Sequence, residues 1–389
     1  MNRRNFLKLT ASAAAGMLVV PGFLYASSAV SVDDIANDNI LVFIQLNGGN
    51  DGLNMFVPFD DPLYYFNRPT IGVSKEAVIN AMNGLGFHPS LKDMATISQD
   101  GNLTILQNVG YPNPNRSHFR SIEIWQTASD SNKYLNHGWL GRFLDIQCKD
   151  DHLSSLNIDA IDNLALKSPG INGITIKDFN VIKKMMNQDE TVKFSDNPQL
   201  DFVRKISFAS TEGIVEINKA LANAKNYNET YANNGLSKNL EWISKLVKGK
   251  MSSKVYYTSL SGFDTHNNQL QKQSNLFKTL NDAVYSFYKD MKANNLLDRV
   301  TLVVFSEFGR RVKENGTGTD HGTSGPMMII GGKNKGQIIG KNPNLEQLNN
   351  GDMQFETDFR SVYATLLKEK YGFDASKIGI NQSIVPGLF

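Results

Sequence analysis

Five short apolar runs, separated by stretches with helical spacing, constrain the fold of this chain more than any other feature. They are Ile40 to Leu46 (ILVFIQL), Leu103 to Val109 (LTILQNV), Lys254 to Leu260 (KVYYTSL), Val300 to Phe305 (VTLVVF) and Met327 to Ile330 (MMII). A run that is apolar at both odd and even positions is what a strand covered on both faces requires. Phe119 to Ala128, Trp139 to Gln147 and Asn275 to Asn294 read as helices. The last has Leu276, Leu280, Val284, Phe287 and Met291 on one stripe. Phe359 to Tyr371 reads as a late helix closed by Gly372. This alternation predicts an α/β fold, a mostly parallel central sheet with helices on both faces. Residues 180–250, rich in Lys and Asn, read as a helical insertion, either a cap over a site or a lateral addition. Within it, Asn197 to Ala224 and Lys238 to Val247 are expected to be helical, with an Asn-rich turn at Asn226 to Asn234. Gly331 to Asn350 is expected to be loop with a short extra hairpin.

The N-terminus carries an address. Arg3 and Arg4 precede Phe6-Leu7-Lys8, an apolar stretch runs from Leu9 to Val20, and small residues follow at Ala26, Ser27, Ser28 and Ala29. A charged start, a short apolar segment and a small-residue cleavage zone make a signal peptide. The paired arginines resemble the twin-arginine pattern, with Asn2 where that pattern usually has Ser or Thr. The stretch is shorter than the roughly 20 apolar residues of a membrane span. The expected division is therefore a signal over 1–29 and one α/β domain over 30–389, located in the periplasm or outside the cell.

Charge and cysteine content narrow the remaining choices. The chain has 40 basic and 38 acidic residues, and the signal region holds three of the basic ones and none of the acidic ones. The rest is close to neutral, so nothing in the composition favours nucleic acid or an anionic membrane as partner. No second long apolar run occurs, so no transmembrane segment is expected in the mature chain. A single cysteine, Cys148, excludes an internal disulfide. Export of a folded, disulfide-free chain is compatible with a metal loaded before transit.

Polar clusters stand at the ends of the predicted strands, where open α/β sheets bind ligands. The first run leads into Asn47-Gly48-Gly49-Asn50-Asp51-Gly52, with Asp51 either a metal or substrate ligand or part of an Asp-Gly turn. The second leads to Arg116-Ser117-His118. Ser117, ahead of a helix, is either a nucleophile or a helix cap, and Arg116 and His118 are suited to bind an oxyanion or move a proton. The third ends in Phe263-Asp264-Thr265-His266, whose alternation lets Asp264 and His266 converge on one metal ion or form an acid–base pair. The fourth ends in Ser306-Glu307-Phe308-Gly309-Arg310-Arg311. Glu307 needs a partner, either a metal or one of the arginines. Asp320-His321-Gly322 precedes the fifth. Three of the six histidines, His118, His266 and His321, thus fall in candidate loops. His88, ahead of Pro89, reads as structural.

The ordered set NGGNDGLN, NRSHF, GFDTH, SEFGR and TDHG, behind a twin-arginine signal, resembles the bacterial family called domain of unknown function 1501. Through it the chain more distantly resembles the alkaline phosphatase and sulfatase superfamily. The resemblance implies an alkaline phosphatase/sulfatase-like fold and a divalent metal centre, with two zinc ions or one calcium, built from Asp51, Asp264, His266, Glu307 and His321. It also implies a nucleophile at Ser117, with Pro112 as the alternative register. Phe308 stands where the superfamily has a ligand histidine, and the superfamily's Asp-x-x-x-His is compressed here to Asp264-Thr265-His266. That pattern predicts a single metal ion with oxygen-rich ligands. Pro112 occupies the reactive position of the formylglycine motif, so no formylglycine is expected. The implied activity is metal-dependent hydrolysis of phosphate or sulfate-type esters on a small-molecule or polymer substrate. The alternative is a catalytically degraded relative that binds a periplasmic ligand or assists envelope assembly.

Overall fold

The computed structural model describes residues 38–148, 151, 153–170, 173–177, 213–224 and 229–389. The predicted signal over 1–29 and most of the predicted helix over Asn197 to Ala224 lie outside the described residues.

The five apolar runs are strands with bounds close to those expected. They form β1 (Ile40–Asn47), β5 (Leu103–Gly110), β8 (Val255–Ser261), β9 (Val300–Ser306) and β10 (Gly325–Gly331). Shorter strands, β2 (Phe56–Val57), β3 (Ile79–Met82), β4 (Leu85–Phe87), β6 (Ser155–Asn157), β7 (Ile174–Thr175), β11 (Ile338–Ile339) and β12 (Thr357–Asp358), carried too few residues to show a period. The main sheet runs β11-β5-β10-β9-β1-β8-β6-β7, with β12 also on β5. β1 lies parallel between β8 and β9, pairing Leu41 with Val255 and Ile40 with Val300. β2, β4 and β3 make a small separate sheet. The expected hairpin after Gly331 does not form. Ile338 and Ile339 instead add to β5 in parallel.

β10 is the exception to the parallel rule, antiparallel to both β5 and β9. This reversal matters for function. The loop that precedes β10, with Asp320 and His321, reaches the same sheet edge as the loops that follow β1, β5, β8 and β9.

Helices cover both faces. On β1, Val42, Ile44 and Leu46 face a core shared with Lys92–Gln99 (α3), Gly235–Lys248 (α6) and Gln269–Ala293 (α7). Leu41 and Phe43 face the opposite core with His118–Thr127 (α4), Trp139–Gln147 (α5) and Phe359–Tyr371 (α8). Two further described helices are short, Gly52–Met55 (α1) and Pro62–Asn67 (α2), and residues 213–223 are also helical, with Ile217 and Ala220 in the first core. Each fully buried Leu, Ile or Phe stabilises this three-layer arrangement by about 1.5–3 kcal/mol relative to leaving it in water. The described part of the insertion is one of these layers. Leu236, Leu240, Ile243, Leu246 and Val247 on α6 pack into the sheet core, so this helix does not cap the site. Among the described residues no helix is long and apolar enough to cross a membrane.

Candidate metal centre

Glycines let the loops meet. Gly48 has φ +118°, and a Cβ there would sit 2.3 Å from the amide nitrogen of Asp264. Gly49 has φ +78° and would place a Cβ 2.5 Å from the Phe308 ring. Only glycine tolerates both the backbone angle and the contact. The close approach is between the chain's own loops, those after β1, β8 and β9.

Arg310 ties these loops together. Its guanidinium is fully buried and donates to Gly49 O (2.8 Å), Gly48 O, Thr319 O (2.9 Å), Phe263 O (2.9 Å) and Asp264 Oδ1 (2.8 Å). One side chain thus holds the β1, β8 and β10 loops in fixed relation. The sequence reading offered Arg310 or Arg311 as the partner of Glu307. Arg310 serves Asp264 and four carbonyls instead.

Three imidazoles converge on Asp264 Oδ1. His266 Nε2 is 2.9 Å away, His321 Nε2 3.0 Å and His118 Nε2 3.4 Å. The His266 and His321 Nε2 atoms are themselves 3.0 Å apart. The His118, Asp264 and His321 ligand atoms all lie within 4.8 Å of one another. Each ring is oriented by its other nitrogen. His118 Nδ1 meets Glu307 Oε1 at 2.9 Å, His321 Nδ1 meets the Arg116 carbonyl at 2.8 Å, and His266 Nδ1 meets Asp320 Oδ1 at 3.3 Å. Carbonyl and carboxylate oxygens only accept, so each Nδ1 carries a proton, and a ring that is neutral in that tautomer turns an Nε2 lone pair inward. His118 Nε2 is buried with no hydrogen-bond partner. Three lone pairs beside a carboxylate oxygen repel unless a proton or a cation lies between them. The donor set whose atoms all lie close together, two nitrogens from His118 and His321 and one oxygen from Asp264, fits a first-row divalent cation such as zinc, with His266 Nε2 beside it and the outer acceptors fixing each tautomer. It is richer in nitrogen than the oxygen-rich set expected from Phe308.

The local electrostatics follow from these contacts. Burial alone would raise the Asp264 carboxyl, but hydrogen bonds from Arg310 and His321 and the Arg310 charge hold it far below the usual carboxylate range. The Glu307 carboxylate raises His118 above an ordinary imidazole, against the opposing effect of burial. Asp320 is lowered, chiefly by its hydrogen bond from Asn315 and also by His266.

The remaining predicted residues take other places. Glu307 stands behind His118, fully buried, accepting from Gly48 N–H (2.8 Å) and Ser306 Oγ (3.0 Å) besides the imidazole. Asp51 is fully engaged in a buried position. It caps α1 through Leu53 and Asn54 N–H, pairs with Arg68 Nη1 at 2.5 Å and accepts from Gln269 Nε2 at 2.5 Å. That leaves its carboxylate outside the imidazole cluster. Ser117 is the exposed residue ahead of α4, with no cap bond from its hydroxyl. Arg116 gives its carbonyl to His321 and its guanidinium to Asp352. Phe308 is buried between imidazoles, its ring centre 4.9 Å from His118 and 5.0 Å from His321. It forms an apolar wall, as its ring requires, at the position read from the sequence as unable to bind a metal. His88 caps the short turn Pro89–Leu91 by accepting from Ser90 N–H, in keeping with a structural role.

Arg68 and Asp320 were missed by sequence reasoning as members of this assembly. Asp320 was visible only as the neighbour of His321, and no spacing marks Arg68, which lies 17 residues from its partner Asp51.

Comparisons with known proteins give three points of reference. The C-terminal periplasmic domain of EcEptC from Escherichia coli, in complex with Zn, is 12% identical over 77% of this chain and 75% of that chain, with a TM-score of 0.40. A protein in the alkaline phosphatase superfamily from Vibrio parahaemolyticus is 10% identical over 79% and 63% of the two chains, with a TM-score of 0.37. The lipoteichoic acid synthase LtaP from Listeria monocytogenes is 10% identical over 82% and 75%, with a TM-score of 0.36. Likenesses at this level say nothing of this chain's chemistry. No curated protein matches it in sequence. Residues 242–378, which carry Asp264, His266, Glu307 and His321, match the family described as Protein of unknown function (DUF1501).

Proposed function

We propose that this chain is an exported hydrolase of phosphate or sulfate-type esters that works with one divalent cation held by His118, His266, His321 and Asp264. One observation carries the reading: three Nε2 atoms converge on one carboxylate oxygen while every Nδ1 is tied to an oxygen acceptor. When bound there, the cation supplies Lewis acidity toward an ester oxygen. The chain's own residues supply the rest. Glu307 keeps the His118 proton on Nδ1, and Arg310 keeps Asp264 ionised. Ser117 offers an exposed hydroxyl at the N-terminus of the ten-residue helix α4, where the helix dipole favours an alkoxide. The twin-arginine pattern of residues 3–8 supports export, which places the substrate in the periplasm or beyond.

The test is turnover. Zinc-loaded protein is assayed against aryl phosphate monoesters, phosphodiesters and sulfate esters, alongside Ser117→Ala. The reading expects zinc-dependent release of the aryl alcohol that Ser117→Ala abolishes. Stoichiometric metal with every ester intact would favour the alternative, a ligand-binding or envelope-assembly protein, which the Phe308 wall supports. Replacing Arg3 and Arg4 by lysine should hold the chain in the cytoplasm.

A further inference from the structure

Beside the imidazole cluster stands an ion group that the metal reading does not use. Asp352, with only 2% of its side chain exposed, faces two guanidiniums. Arg116 Nη2 bonds its Oδ2, while Arg311 Nε approaches Oδ1 at 3.7 Å, too far for a hydrogen bond. Asp352 Oδ1 is accordingly buried with no hydrogen-bond partner. One carboxylate therefore serves two guanidiniums, whose side chains remain 40% and 33% exposed. Asp320, the other carboxylate within reach of the Arg311 charge, is engaged by Asn315 and His266.

Main-chain bonds fix this group to the cluster. The Arg116 carbonyl accepts from His321 Nδ1 at 2.8 Å, and the Arg311 amide donates to the Asp320 carbonyl at 3.0 Å. The Asp352 loop is closed by paired bonds between Asn349 and Asp352, and Thr323 and Ser324 both donate to the Met353 carbonyl. A loop that holds two half-exposed guanidiniums next to the His321 loop is a frame for an oxyanion, because the guanidinium fork matches two oxygens of a tetrahedral group.

We propose that Arg116 and Arg311, positioned by Asp352, form the subsite that binds the anionic group of the substrate, a tetrahedral phosphate or sulfate. The proposal deepens the ester-hydrolase reading and rests on the imidazole cluster as the cation site. Arg311 is the specificity-determining member, since its guanidinium makes no hydrogen bond among the described residues.

Calorimetric titration of the full chain with inorganic phosphate, and separately with inorganic sulfate, tests it. Each titration is run with and without zinc on the wild type, Arg311→Gln, Arg116→Gln and Arg311→Lys, and metal content is measured on every sample. The expected result is wild-type zinc content in Arg311→Gln, with affinity for at least one anion lowered tenfold or more. Arg116→Gln falls similarly, and Arg311→Lys recovers only part. Arg116→Gln keeps the test valid if Arg311→Gln does not fold. Full zinc with unchanged affinity in both variants would overturn the subsite and leave the metal centre standing. No zinc in the wild type, with anion binding that still depends on Arg311, would remove the metal centre and leave the subsite. Binding of neither zinc nor either anion to the wild type would overturn both.

Discussion

Glu307→Gln isolates the effect of the acceptor behind His118. Glutamine has the same shape, and each partner of Glu307 can still be served. Its carbonyl can accept from Gly48 N–H and His118 Nδ1–H, now at 2.8 and 2.9 Å. Its amide can donate to Ser306 Oγ, which then turns its own proton from residue 307 to the Leu46 carbonyl at 2.7 Å. What is lost is the negative charge. A hydrogen bond to a charged group contributes about 1.5–3 kcal/mol against about 0.5–1.5 for a neutral pair, so the bond to His118 weakens by about 1–1.5 kcal/mol. The imidazole becomes a poorer donor, and changes of this kind typically lower metal affinity about 10–100-fold, or about 1.4–2.7 kcal/mol. The assay is competition for zinc against a chromophoric chelator at fixed pH, with nitrogen NMR of His118 reporting the tautomer. Affinity equal to the wild type, with His118 still protonated at Nδ1, would refute the idea that the carboxylate tunes this ligand.

Three further outcomes follow from the same structure. Burial lowers His88 to about 4, so the folded state resists a proton that the unfolded chain accepts below its ordinary value of 6.5. Stability should therefore be full above pH 6.5 and fall as pH drops toward 4, by about 3 kcal/mol in all at about 1.4 kcal/mol per unit, and His88→Asn should remove that slope in urea melts. Arg310→Met leaves four carbonyls and the Asp264 carboxylate without their buried donor, and should cost more than about 4 kcal/mol in chemical denaturation. Ala128 closes α4 with φ 53°, a left-handed angle that glycine adopts without strain, so Ala128→Gly should raise stability by up to about 1 kcal/mol in thermal melts.

The strands and the outer helices were legible because their burial is two-sided or periodic. Trp139–Gln147 and Phe359–Tyr371 have the bounds that spacing predicts. The start of α7 was not legible. It begins at Gln269, six residues before the expected Asn275, because its first inward-facing residues are polar. Gln269 and Gln273 are buried to serve Asp51, Thr265 and Thr319 through hydrogen bonds, and an apolar period cannot register them. At the site, Asp264 and His266 converge as expected, although β8 ends at Ser261 and a turn closed by Thr265 N–H to Phe263 O, not strand alternation, brings them together. The grouping of three histidines followed from loop position. The division between inner and outer residues did not. Glu307 and Asp51 read as carboxylates at strand ends, just as Asp264 does. Only the partners Gly48, Arg68 and Gln269 reveal that their oxygens are already engaged. The reversed direction of β10 was also invisible, since a four-residue apolar core carries no sign of strand polarity.

Cation binding by the imidazole cluster is measured directly by metal content. Mass-spectrometric analysis of the purified chain after equilibration with zinc and removal of excess should find one equivalent in the wild type and almost none in His321→Ala or Asp264→Ala. No bound metal in the wild type, or full metal in both variants, would contradict it.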